Sequence, residues 1–109
     1  GAAGNAWITS AVYQTFVGIA DGGLGPQAAL ELPRFQTGRR TTDGVVLQME
    51  QGVAPRVIRQ LEAMGHRFEF ISLPGEVRQG YGAAVVIQDG QATAGADPRR
   101  SGAAGAVRR

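Results

Sequence analysis

Few residues in this sequence of 109 can do chemistry, and most of those stand alone. There is no cysteine and one histidine, His66. That removes thiol nucleophiles, cysteine-based zinc sites and any multi-histidine metal centre. His66 follows Gly65 at the expected end of a helix, where it serves as a general base or simply as a residue favoured by the helix dipole. Thr9, Ser10, Ser72 and Ser101 have no activating neighbour in the sequence. The carboxylates Glu31, Glu50, Glu62, Glu69 and Glu76 show no paired spacing that argues for acid–base work. Asp97 and Arg99 are placed to form a charge-assisted pair, and Arg34 after Pro33 either holds an acidic group bidentately or anchors a loop. The string Gly1-Ala2-Ala3-Gly4-Asn5 precedes a helical period. It can present backbone N–H groups to an oxyanion, or be an ordinary loop leading into the helix. No dinucleotide or P-loop pattern is present, so no cofactor and no metal is expected.

The elements that must carry these residues follow from periodicity. Ile8, Val12, Phe16 and Ile19 recur at helical spacing, with Val17 on the same side, and predict a helix from Trp7; Asp21-Gly22-Gly23 ends it. Gly25-Pro26 opens a second short helix, and Pro33 stops it. Arg34 to Asp43 reads as a polar loop, and Val45 to Glu50 as a strand. Ala54-Pro55 starts a third helix with Val57, Ile58, Leu61 and Met64 as its apolar stripe. Phe68 to Leu73 and Ala83 to Gln88 are strands, and Asp89-Gly90 is a two-residue hairpin signal leading into Gln91 to Gly95. The pattern predicts an α+β chain of three helices and about four strands, in one domain over 1–109, with 97–109 as a flexible basic tail end.

Composition supports a folded core, with 43% hydrophobic and 18% charged residues. All eleven basic residues are arginine. Beyond Ala96, four arginines face one acid, a local +3 that leaves −1 for the rest of a net +2. With no aromatic residue in that tail, the charge reads as a solvated terminus rather than a nucleic-acid surface. No apolar run nears the roughly 20 residues that span a bilayer, and no targeting signal names a compartment. The continuous apolar runs Val45–Leu47 and Val85–Ile87 ask for cover on two faces, more than three helices supply. A companion chain or self-association is therefore expected instead of an isolated, stable monomer.

Four segments, in order, resemble the γ-glutamyltransferase (γ-glutamyl transpeptidase) family. Gly1-x-x-Gly4-Asn5-Ala6-x-Ile8-Thr9 is similar to its Gly-x-x-Gly-Gly-Ser-x-Ile segment. Ala20-Asp21-Gly22-Gly23-Leu24, through Ala28-Ala29, to Leu32-Pro33-Arg34-Phe35 resembles its Ile-Asp-x-Gly-Met/Leu, Glu-Ala and Ala-Pro-Arg-Phe strings. Val53-Ala54-Pro55, Leu61 and Met64-Gly65-His66 resemble its Gly-Phe-x-Pro…Leu…x-Gly-His run. Gly95-Ala96-Asp97-Pro98-Arg99-Arg100 with Gly102-Ala103-Ala104 is similar to its closing Gly-x-x-Asp-Pro-Arg-x-x-Gly-Ala-Ala.

The resemblance implies the C-terminal part of a small catalytic subunit with an N-terminal-nucleophile hydrolase (αββα) fold. It implies an enzyme that transfers or hydrolyses the γ-glutamyl group of glutathione and related amides through a threonine acyl-enzyme. It places the nucleophile, the substrate-carboxylate contacts and the paired serines upstream of Gly1, on a companion chain or upstream segment, so the chain alone is expected to be inactive. The family's oxyanion pair maps onto Gly4, which matches, and Asn5, which departs from glycine. Pro33, Arg34, Asp97 and Arg99 map onto positions read here as structural. Family members are often periplasmic, secreted or at the cell surface. A domain of a longer protein, one chain of a multi-chain enzyme, and a non-catalytic binding or assembly module that keeps the fold all remain open.

Overall fold

A computed structural model describes residues 1–3, 7–71, 81–99 and 102–105, the side chains at 3 and 39 apart. Its elements in chain order are β1 (Ala2–Ala3), α1 (Trp7–Ala20), α2 (Pro26–Glu31), β2 (Phe35–Thr41), β3 (Gly44–Glu50), α3 (Pro55–Ala63), β4 (Arg67–Ile71), β5 (Tyr81–Gln88) and β6 (Gln91–Ala96). They group into two compact units, Gly1–Leu32 with Pro74–Arg109, and Pro33–Leu73.

In the first unit, β1, β5 and β6 form one antiparallel sheet in that order. The hairpin between β5 and β6 turns on Asp89 and Gly90 at φ 52° and 77°. Left-handed backbone at both central residues suits a type I′ turn, whose twist matches the strands it joins. Helix α1 ends where expected: Leu24 N–H closes back on Gly18 O at 3.1 Å past the left-handed Gly23.

The apolar stripe of α1 is not its buried face. Trp7, Ala11, Thr15 and Gly18 are buried, whereas Ile8, Val12 and Phe16 are exposed. The reason is distance. A Cβ on Gly18 would stand 3.2 Å from Leu32 Cδ1 and 3.4 Å from Ala29 Cβ, so α1 meets α2 along small residues and leaves its bulky stripe outside. On the sheet, α2 sits directly over Gly95, and this sheet face also carries Gly82, Ala84 and Val86 of β5. The opposite face carries Ala83, Val85, Ile87, Ala92, Ala94 and Ala96. Val85 is 65% and Ile87 76% exposed there.

In the second unit, β2 pairs antiparallel with β3, and β3 pairs parallel with β4 through α3. Val46, Met49 and Ile71 are its buried apolar residues. The segment read as a polar loop is the strand β2, which with β1 makes six strands among the described residues instead of about four. Backbone pairing to β3 holds β2, while Phe35, Thr37 and Arg40 are exposed. The register shifts between Thr37 and Arg40, where a Cβ on Gly38 would lie 2.7 Å from Val46 O.

Candidate functional site

The chemistry-bearing residues fall into two buried clusters, one in each unit. In the first, Asp97-Pro98-Arg99 folds into a tight turn after β6: Arg99 N–H donates to Asp97 Oδ1 at 3.0 Å. The Arg99 guanidinium returns to the same oxygen at 2.9 Å. It also donates to Leu30 O at 2.6 Å and Leu32 O at 2.7 Å. Those are carbonyls at the C-terminal end of α2, where a helix runs out of its own donors and attracts cations. The second oxygen of Asp97 accepts Gly82 N–H at 2.6 Å. One ion pair thereby ties together the end of α2, the exit of β6 and the start of β5. Arg99 is 5% exposed and Asp97 6%, so neither belongs to a solvated terminus. Arg100, Ser101, Arg108 and Arg109 lie outside the described residues.

A second link joins α2 to the sheet. Gln27 Nε2 donates to Ala96 O at 2.8 Å, and Gln27 Oε1 accepts Ala96 N–H at 2.8 Å. Beside it, α1 and the sheet enclose a groove of about 230 Å³, walled by Val12, Thr15, Phe16, Leu30, Ala83 and Val85 among others.

In the other unit, the backbone of Arg34 is tied to both the side chain and the backbone of Glu50. Arg34 N–H donates to Glu50 Oε1 at 2.8 Å, and Glu50 N–H donates to Arg34 O at 2.9 Å. Both residues are buried to within 1%. Pro33, half-buried, packs near Gly52, which lies at φ 111°.

The remaining candidates are scattered. Gly4 and Asn5, the oxyanion candidates, lie outside the described residues, as do Ser72 and Glu76. Thr9 is exposed on α1 and Ser10 half-buried. His66 is exposed after α3, its ring centroid 6.5 Å from that of Phe68. Glu31, Glu62 and Glu69 are exposed. Among the described residues, no group of three or more His, Asp or Glu is arranged to hold a metal, and no helix is long and apolar enough to cross a membrane. Gln27 escaped the sequence reading, which considered Glu50 only as a carboxylate without a paired spacing. Only Glu50 had a signal: a carboxylate closing a largely apolar strand.

Three comparisons place this arrangement among known proteins. The family model described as Gamma-glutamyltranspeptidase matches residues 1–107. A curated relative, the glutathione hydrolase proenzyme of Bacillus subtilis subsp. natto, is 40% identical over 68 residues, covering 62% of this chain and 11% of that protein. Among solved structures, a gamma-glutamyltranspeptidase from Pseudomonas nitroreducens matches with a TM-score of 0.79 at 20% identity, over 99% of this chain and 54% of that one. The Bacillus anthracis transpeptidase enzyme CapD matches with a TM-score of 0.75 at 18% identity, over 98% of this chain and 61% of that one. The chain thus spans about half the length of the solved chains and about a tenth of the curated relative.

Proposed function

This chain belongs to the gamma-glutamyltranspeptidase family, and on that premise we propose that it is part of an enzyme that transfers or hydrolyses the γ-glutamyl group of glutathione and related amides. The observation that carries the reading is the family match, continuous over residues 1–107, joined to an α+β fold that follows solved gamma-glutamyltranspeptidases along 99% of the chain.

In this reading the nucleophile is a threonine outside the chain, on a companion segment. Its hydroxyl attacks the γ-carbonyl, the amide C–N bond breaks, and the amine leaves with the proton the hydroxyl gave up. Water or a second amine then takes the acyl group from the ester. The residues of this chain supply the surroundings. Gly4 and Asn5, between β1 and α1, are proposed to offer backbone N–H groups to the tetrahedral oxyanion, where fixed donors stabilise charge that develops only in the transition state. The buried Asp97–Arg99 pair and the Arg34–Glu50 link act as structural supports, holding strand starts and a helix end in place. No cofactor enters.

Assay of the full-length protein with a chromogenic γ-glutamyl amide tests this. Release of the chromophore, abolished when the nucleophilic threonine is replaced by alanine, is the expected result. Release that survives the replacement removes the threonine acyl-enzyme. No release at all from a folded full-length protein leaves the family's fold serving as a binding or assembly module.

A further inference from the structure

Strand β6 ends at Ala96, whose partner on β5 is Ala83. One residue further, the ladder would set Asp97 opposite Gly82. There the side chain of Asp97 makes the contact: its Oδ2 accepts Gly82 N–H at 2.6 Å. The other oxygen is taken twice by Arg99, from its backbone N–H at 3.0 Å and its guanidinium at 2.9 Å. With Asp97 only 6% exposed, water competes little for either oxygen. On the other side of β5, Gly82 stands opposite Ala2 and Tyr81 opposite Ala3. Gly1 and Ala83 exchange both their hydrogen bonds, at 3.0 and 2.8 Å. Alternation along an antiparallel pair then makes Ala3 and Tyr81 the next hydrogen-bonded pair.

The peptide unit joining Tyr81 to Gly82 is planar, so its two ends are fixed together. Its N–H goes to Asp97, and its C=O faces Ala3 across the rung to β1. Ala3 ends β1, and Gly4 follows it in the sequence. We infer that Asp97, aimed by Arg99, is a positioning residue for the oxyanion loop: it locks the Tyr81–Gly82 peptide, against which Ala3 delivers the N–H of Gly4. The inference rests on the reading of Gly4 as an oxyanion donor, and names the residue that aims it. Aim matters because a donor acts only at hydrogen-bond distance from where the charge develops. A misplacement of about 1 Å, caused far from the chemistry, costs about 10²-fold. Gln27 supplies the contrast. It grips Ala96, the neighbour of Asp97, with two hydrogen bonds at 2.8 Å, but on the edge of β6 that faces away from β5 and β1.

Kinetics of the full-length protein on the chromogenic γ-glutamyl amide, below the melting points of all variants, test this. Asp97→Asn keeps the shape but puts an NH2 against a donor in either orientation, Gly82 N–H on one side or Arg99 on the other. It is expected to lower kcat by about 10-fold to 10²-fold, short of outright loss of the donor. KM should change by less than about twofold, the mark of an interaction made only in the transition state. Gln27→Ala should leave both values near wild type. An unchanged kcat in Asp97→Asn overturns the inference, and so does an equal fall in Gln27→Ala, which is what general loosening of the end of β6 would give. Amide exchange on the unaltered full-length protein reads the same linkage without substitution or turnover. As denaturant rises, the N–H groups of Gly82 and Ala3 should open together; Ala3 staying protected after Gly82 has opened overturns it. If the unaltered protein releases no chromophore, the γ-glutamyl reading falls on that result, and the exchange pattern alone decides whether Asp97 holds the exit of β1.

Discussion

The side-chain amide of Gln27 meets Ala96 as a paired strand would, donating to its carbonyl and accepting from its N–H, both at 2.8 Å. A helix residue thereby closes one rung of a sheet edge that no strand among the described residues covers. The neighbouring Gly95 explains why it can: a Cβ there would stand 2.7 Å from Gln27 N and 2.9 Å from Pro26 C. The backbones touch because one residue has no side chain.

Substitutions at these two positions should therefore differ in size. Gln27→Ala removes three exposed hydrogen bonds, two to Ala96 and one to Glu31 Oε1, and should cost about 1 kcal/mol in denaturant unfolding of the full-length protein. Gly95→Val must push α2 off β6 and should cost more, about 1–3 kcal/mol from overpacking alone. A smaller loss for Gly95→Val than for Gln27→Ala would contradict the contact.

Arg99→Ala leaves a buried Asp97 carboxylate uncompensated and strips Leu30 O and Leu32 O of their donor. Breaking one side of such a pair costs about 3–5 kcal/mol, measurable as a large drop in the unfolding midpoint. Arg99→Lys should recover only part of it, since one ammonium does not reproduce the planar fork that reaches three oxygens. Full rescue by lysine would show that charge alone matters.

The open face of β5 and β6 is apolar at six positions. The isolated 109-residue chain should therefore self-associate, seen by light scattering after size exclusion. Val85→Lys with Ile87→Lys should shift that chain toward monomer. In the full-length protein, on the proposal that a companion segment covers the face, the same pair should lower the melting point by several degrees. A monodisperse wild-type monomer that binds no apolar dye would contradict both expectations.

Gly4→Val in the full-length protein is expected to lower turnover by about 10²–10³, the usual cost of losing one oxyanion donor, while moving the melting point little. Unchanged turnover would remove Gly4 from the site, and a fall in stability alone would leave it a turn residue.

Punctuation was the most legible layer of the sequence. Proline at the starts of α2 and α3, the glycines ending α1 and α3, and Asp89-Gly90 all mark local backbone states that few other residues adopt. Strand β2 was invisible because its exposed Thr37 and Arg40 carry no apolar alternation, and its pairing to β3 is a backbone property. The helical period of Ile8, Val12 and Phe16 located α1 without naming its buried face. Periodicity shows that a face will be covered without saying whether this chain covers it. Gln27 gave no sign, since its role depends on Ala96, 69 residues away.

The first unit is assembled from the two ends of the chain, with the second threaded between them. During synthesis, α1 and α2 leave the ribosome long before β5 and β6 exist, and the clasp at Leu30 and Leu32 waits for Arg99. The middle unit, whose pairings are local, can form while the first is still two loose helices. A chain released before residue 81 would keep the sheet of its second unit yet expose Trp7 and Leu30, an apolar surface of the kind that quality-control proteases and chaperones bind.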